Sequence, residues 1–204
     1  MLRRPILLMV TGLVTAVVVV AIALSVVAGH PASAATGSGI VVAHINGITG
    51  GQEHTGVACA VTGDSDAGNI FQVANFDWGL TQSGVSSTSG GGSAGAVKSG
   101  SPVFSATTGW DTPQIESLLA QSKTTAASFC IYQSSGNKGL TLLETYDFTT
   151  CFVAGLSSSV AGSSVTATDT VTLDCAALKH TVFTSGGQSQ TFTCKFSQDT
   201  CGQP

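Results

Sequence analysis

Gly91-Gly92-Ser93-Ala94-Gly95 fits the G-x-S-x-G pattern of a serine-hydrolase nucleophile turn. His54 and Asp64 would then supply the base and carboxylate of a Ser-His-Asp triad. That chemistry needs a buried strand before the serine and a helix after it, so that the hydroxyl stands exposed at a helix N-terminus. Here Ser86-Ser87-Thr88-Ser89 precedes the match and Ala96-Val97-Lys98-Ser99-Gly100 follows it, with no helical pattern. The sequence predicts a turn-forming loop, and a secreted hydrolase acting through Ser93 stands as an alternative.

Asp64-Ser65-Asp66-Ala67-Gly68-Asn69 opens like a calcium loop. An EF-hand places Gly sixth and Glu twelfth, whereas Asn69 and Asn75 occupy those places here. An Asp- and Gly-rich turn is the expectation, and no metal site is assigned. His44, His54 and His180 are expected as surface or edge histidines. Phe76 and Trp78 alternate about Asp77, which puts both rings on one face of a strand and predicts core packing. If exposed, Phe76, Trp78 or Trp110 would instead give a stacking platform for a carbohydrate or another ligand.

The six cysteines are Cys59, Cys130, Cys151, Cys175, Cys194 and Cys201. Zinc sites want two ligands closely spaced, and the closest pair here, Cys194 and Cys201, is too far apart. An even count in an exported chain reads as disulfides, but spacing does not choose among the pairings.

Export is read from the N-terminus. Arg3 and Arg4 precede an apolar run from Ile6 to Ala28, and Ala32 and Ala34 form an A-x-A site. This predicts a secretory signal over residues 1–34. The run is also long enough to span a bilayer, so a retained cell-surface anchor is the alternative. Removing Arg3 and Arg4 leaves five lysines against eleven acidic residues, a net charge of −6. Nucleic acid is excluded as a partner, since phosphate binding needs a basic face. Membrane contact beyond the N-terminal run is excluded on the same ground.

The elements that must position these residues are mostly strands. Segments 40–48, 70–81, 127–132, 140–156, 165–183 and 190–196 are rich in β-branched and aromatic residues, and turn residues separate them. Ser185-Gly186-Gly187-Gln188 reads as a hairpin turn. Residues 111–123 break the pattern. Asp111 or Thr112 can cap a helix, Pro113 suits its first turn, and Ile115, Leu118 and Leu119 form one apolar stripe. The fold class expected is a mainly β domain: a small antiparallel barrel or sandwich of two sheets with one packed α-helix.

Three stretches, taken in order, resemble the Hcp family, the haemolysin-coregulated tube proteins of type VI secretion. They are Ile45-Asn46-Gly47-Ile48-Thr49-Gly50, Phe76-Asp77-Trp78-Gly79-Leu80-Thr81-Gln82-Ser83-Gly84 and Gly90-Gly91-Gly92-Ser93-Ala94-Gly95-Ala96-Val97. The residues that carry the resemblance are Gly47, Trp78, Gly79, Gln82, Ser83, Gly84, Gly91, Gly92 and Gly95, with Ser93 interrupting the last run. The resemblance implies a twisted two-sheet barrel with a helix beside it, six-membered rings, no catalytic residues and no cofactor. It further implies the chain itself as partner, and a small protein or ligand as lumen cargo. Against that family, 57–69 looks like an insertion and 188–204 an extension. The domain reading is a signal over 1–34, an Hcp-like domain over 35–187 and a C-terminal strand and tail over 188–204. A monomeric ligand-binding module on the same fold is the second alternative.

Overall fold

A computed structural model describes residues 39–49, 57–59, 69–82, 97–109, 111–134, 139–160, 162 and 166–204. The signal, His54, Asp64, Ser93 and Trp110 lie outside the described residues.

The first strand, β1 (Gly39–Ile45), is rich in β-branched residues and buried on both faces at its C-terminal end. Alternation sends Ala43 and Ile45 to the main core and Val42 and His44 to the opposite side. β2 (Phe71–Val73) and β7 (Thr125–Ser134) flank β1. The expected strand over 70–81 is three pieces: β2, then β3 (Asn75–Asp77) and β4 (Leu80–Gln82). The break at Ala74 transfers the chain from β1 to β6 (Val103–Thr107), whose Ser105 carbonyl accepts the Ala74 N–H at 2.7 Å. β6 had no counterpart among the expected strands.

The centre of the molecule is a long hairpin, β8 (Leu140–Val160) and β9 (Ala167–Phe183), paired from Glu144↔Val182 to Val160↔Ala167 with a one-residue shift between Val153 and Gly155. β7 pairs with the first part of β8, as far as Cys151. On β9, β6 pairs with the first part and β10 (Ser189–Lys195) with the second. β11 (Thr200–Gly202) pairs with β10. The main sheet runs β11-β10-β9-β8-β7-β1-β2, with β6 and β3 branching from β9. β4 forms a separate ribbon with β5 (Val97–Ser99). Two facing layers result, a sandwich rather than a closed barrel.

A slip in alternation lets one hairpin serve both layers. Phe148 is buried, Thr149 and Thr150 are exposed, and burial resumes at Cys151 and Val153. Thr150 makes the slip with φ 52°, a left-handed conformation that a β-branched residue rarely adopts. β9 follows: Leu178 is buried before the slip, and Cys175, Leu173 and Val171 after it.

The core is aromatic at its centre. Phe104, Phe129 and Phe148 are fully buried, with Phe104–Phe129 and Phe129–Phe148 ring centroids 5.3 and 6.1 Å apart. The single described α-helix, α1 (Thr112–Gln121), closes it with Ile115 and Leu118, as the apolar stripe predicts. Pro113 stands in its first turn and Ser122, at φ 48°, ends it. Asp111 takes the N-cap position, but its carboxylate bonds no first-turn N–H. Lys123 lies beyond the end of the helix.

A second, smaller core lies on the outer side of β1 and β7. Val42, Cys59, Ile70, Cys130 and Tyr132 form it, where 57–59 crosses the sheet. His44 is buried here, its Nδ1 2.9 Å from the Asn69 carbonyl, which corrects the expected surface histidine. Burial of a polar ring is tolerable only with such a partner.

Gly47 follows β1 at φ 84°. An L-residue is strained there. Gly47→Ala is expected to cost about 1–2 kcal/mol in urea unfolding, although no neighbour would meet the new methyl. The strain comes from the backbone, so Gly47→Asn should cost less.

Candidate functional site

Of the residues that carry the Hcp resemblance, Trp78, Gly79 and Gln82 stand at the β4–β5 ribbon, while Gly47 follows β1. Trp78 and Gly79 lead into it and Gly100 leads out. The Gly100 N–H bonds the Gly79 carbonyl at 2.7 Å, and a Cβ at Gly100 would come within 3.1 Å of that oxygen. Glycine is needed for this close approach of two backbones. Trp78 Nε1 donates to Ser99 Oγ at 3.3 Å, and Ser99 Oγ donates to the Gly100 carbonyl. Gln82 stands at the far end, opposite Val97. Ser83, Gly84, Gly91, Gly92, Ser93 and Gly95 belong to the connection outside the described residues. The chain resumes at Val97 as a strand, so the G-x-S-x-G match lacks the helix that a nucleophile turn requires.

Trp78 and Phe76 are half-buried and pack on one side of the core, as their alternation predicts. Phe76 stacks on Phe129 at 4.3 Å, while Trp78 is edge-on to Tyr146 and Phe148. Trp78 thus packs edge-on against the core instead of presenting a free stacking platform.

Beside them sits a polar cluster that spacing did not reveal. Tyr146 and His180 face each other across β8 and β9 and stack at 4.1 Å. Tyr146 donates to Glu144 Oε2 at 2.8 Å, and His180 Nε2 is 3.4 Å from the same oxygen. The His180 bond, helped by Tyr146 and opposed by burial, holds the Glu144 carboxyl below its usual range. Burial and the Glu144 bond raise the Tyr146 phenol. His180 is half-buried, again not a plain surface histidine.

A second cluster joins the start of α1 to the hairpin. Asp169 is 3 % exposed. It accepts from Thr108 Oγ1, Thr112 Oγ1 and Ser158 Oγ at 2.8, 2.5 and 2.5 Å. Burial pushes its carboxyl up, but the three hydroxyls outweigh that and hold it below the ordinary value. Buried Asp111 is raised, chiefly by desolvation and also by the Asp169 charge, against its own backbone N–H. No group of three or more metal-ligating side chains occurs among the described residues.

The cysteines pair as Cys59–Cys130, Cys151–Cys175 and Cys194–Cys201. The last two join directly opposed strand positions, and the first ties 57–59 to β7. One long edge is open. From 152 to 160, β8 pairs only with β9 among the described residues. Phe152 and Val160 on this stretch are 40 % and 63 % exposed, and it carries no charge.

The two-layer antiparallel sheet, the single described α-helix beside it and the long central hairpin make up the Hcp fold. Hcp1 from Salmonella typhimurium matches with a TM-score of 0.60 at 19 % identity, over 81 % of this chain and 99 % of that one. A solved structure described as a type six secretion system protein matches with a TM-score of 0.60 at 14 % identity, over 81 % and 100 %. The secreted protein Hcp3 from Pseudomonas aeruginosa matches with a TM-score of 0.54 at 12 % identity, over 76 % and 97 %. No family model and no curated protein matches the sequence. The likeness is one of fold, and it takes in essentially the whole of each solved chain.

Proposed function

We propose that this chain is an exported, divergent relative of the Hcp proteins that acts by assembling with itself and not by catalysis, with a six-membered ring as the assembly. The observation that carries this reading is the open edge of β8. Nine uncharged residues, 152–160, have β9 as their one strand neighbour among the described residues, beside exposed Phe152 and Val160. Natural sheets usually guard such an edge with Lys, Pro or a bulge directed at the rim. Here the stretch has a bulge between Val153 and Gly155 but no charge or proline, and such an edge remains a template for a second copy, with closed symmetry the ordinary result. The match to proteins described as secreted and as parts of type six secretion supports the same reading. The three disulfides suit an oxidising compartment outside the cytoplasm, consistent with a signal over 1–34 that is removed on export.

The test is the native mass of residues 35–204 by light scattering under non-reducing conditions. A mass of six subunits is expected, and Val160→Lys, which puts a charge on the edge, should lower it. A monomer at all concentrations would overturn the assembly and leave only the fold.

A further inference from the structure

Of the six cysteines, five are buried and Cys201 alone is partly exposed. Its bridge to Cys194 differs from the other two in its surroundings. Cys151–Cys175 lies inside the β8–β9 hairpin, with β7 paired at Cys151. Cys130 lies on β7 between β1 and β8, and Cys59 packs with it in the second core. Cys201 stands on β11, which has β10 as its one strand neighbour among the described residues. The chain reverses between β10 and β11 through one 3-10 turn, Phe196–Gln198, and a left-handed Asp199 at φ 49°. β11 then meets β10 over three residue pairs, Thr193↔Gly202, Cys194↔Cys201 and Lys195↔Thr200. No residue of β11 is part of either core. The Thr200 hydroxyl donates to the Gln198 carbonyl at 3.0 Å, back into its own turn. So short a ladder on one side is a weak hold, and local opening of such an edge costs far less than opening the sheet. The bridge adds a covalent tie across the middle pair.

We infer that the Cys194–Cys201 bridge is a releasable clasp: a dithiol reductant opens it ahead of the other two, and β11 then leaves the edge of β10. A thiolate of the reductant attacks Sγ of the partly exposed Cys201, and the electron pair of the S–S bond leaves with Cys194 Sγ. The reductant's second thiolate then displaces Cys201 from the mixed disulfide. Each departing cysteine thiolate takes up a proton that a reductant thiol gave up, so the reductant ends as a disulfide and the protein gains two thiols. Buried sulfurs admit no such attack until their strands separate. Loss of β11 lengthens the stretch of β10 that has β9 as its one strand neighbour, from 189–192 to 189–195. Such an edge is a template for another strand.

The exported protein, disulfides intact at the start, would be held in graded dithiothreitol, trapped with iodoacetamide and mapped by mass spectrometry. Cys194 and Cys201 are expected to be alkylated roughly tenfold faster than the other four cysteines. Amide hydrogen exchange on the same samples should rise roughly tenfold at 193–195 and 200–202, while the β8–β9 amides keep their protection. Cys194→Ala together with Cys201→Ala should show the same opening without reductant. Equal or earlier alkylation of either other pair would overturn the selective release. Unchanged exchange at 200–202, in the reduced protein or in the double variant, would overturn the clasp. Loss of β8–β9 protection would overturn it as well, by showing general unfolding.

Discussion

Replacing Cys59 and Cys130 together by alanine is expected to destabilise the protein by about 4 kcal/mol, more than removal of either other bridge. The bridge closes a sequence separation of 71, against 24 for Cys151–Cys175 and 7 for Cys194–Cys201. The entropy withheld from the unfolded chain grows with the logarithm of that length, so the other pairs follow in the same order, at roughly 3 and 2 kcal/mol. Packing adds to the difference. Cys59 and Cys130 are 1 % and 3 % exposed within the second core. The same segment places the Ala58 backbone on Tyr132, whose hydroxyl donates to the Ala58 carbonyl and accepts the Ala58 N–H. Without the bridge, 57–59 would keep these bonds and the packing of Val57 but lose its covalent tie to β7, and the outer side of β1 would open to water. Thermal melting of the three double variants is the measurement. A fall of roughly 8–16 °C is expected for the first. If it melted with the wild type, or above the Cys194/Cys201 variant, the bridge would not be what holds the second core.

The second large effect is expected from Asp169→Asn, at roughly 3 kcal/mol. The change removes a buried charge from three hydroxyl donors on three different segments: the end of β6, the start of α1 and the far end of β8. An amide offers one acceptor oxygen in place of two, so a donor is left unmet. The pH dependence has a definite sign. The folded Asp169 carboxyl titrates below its unfolded value of about 3.9. Its contribution is therefore complete above that value and disappears as pH falls through the lower, folded one. Asp111 is shifted the other way. Its ionisation costs stability, and that cost appears as pH rises through its raised folded value. Acidification from neutrality should thus first relieve Asp111 and then, below about pH 4, forfeit Asp169. Urea unfolding as a function of pH would separate the two. Asp111→Asn should flatten the upper limb and Asp169→Asn the acidic one. Identical profiles in the Asp169 variant and the wild type would refute the assignment.

The elements of this protein were legible because their signals are local. The 140–156 and 165–183 segments announce strands by β-branched composition. Ile115, Leu118 and Leu119 announce a helix by spacing, and Phe76 and Trp78 declare one face by alternation. Trp78-Gly79 with the glycine run likewise pointed to the fold by resemblance, because those residues are neighbours along the chain and can be read there. The even cysteine count announced disulfides for the same kind of reason, though not their partners.

What only the tertiary structure decided was who pairs with whom. Val103-Phe104-Ser105-Ala106-Thr107 is too short to stand out, and becomes β6 because β9 and β3 lie on either side of it. Thr150 gives no sign in sequence that it will turn left-handed and exchange the faces of a long hairpin. His44 reads as an edge histidine until 57–59 and Asn69 cover it. Thr108, Thr112, Ser158 and Asp169 are ordinary residues far apart in the chain, and they become one hydrogen-bonded cluster through the β8–β9 and β6–β9 registers. Periodicity is a property of neighbours along the chain and can be read there. Pairing, burial and charge contact arise between distant segments, and they exist only once the sheet has folded over its own core.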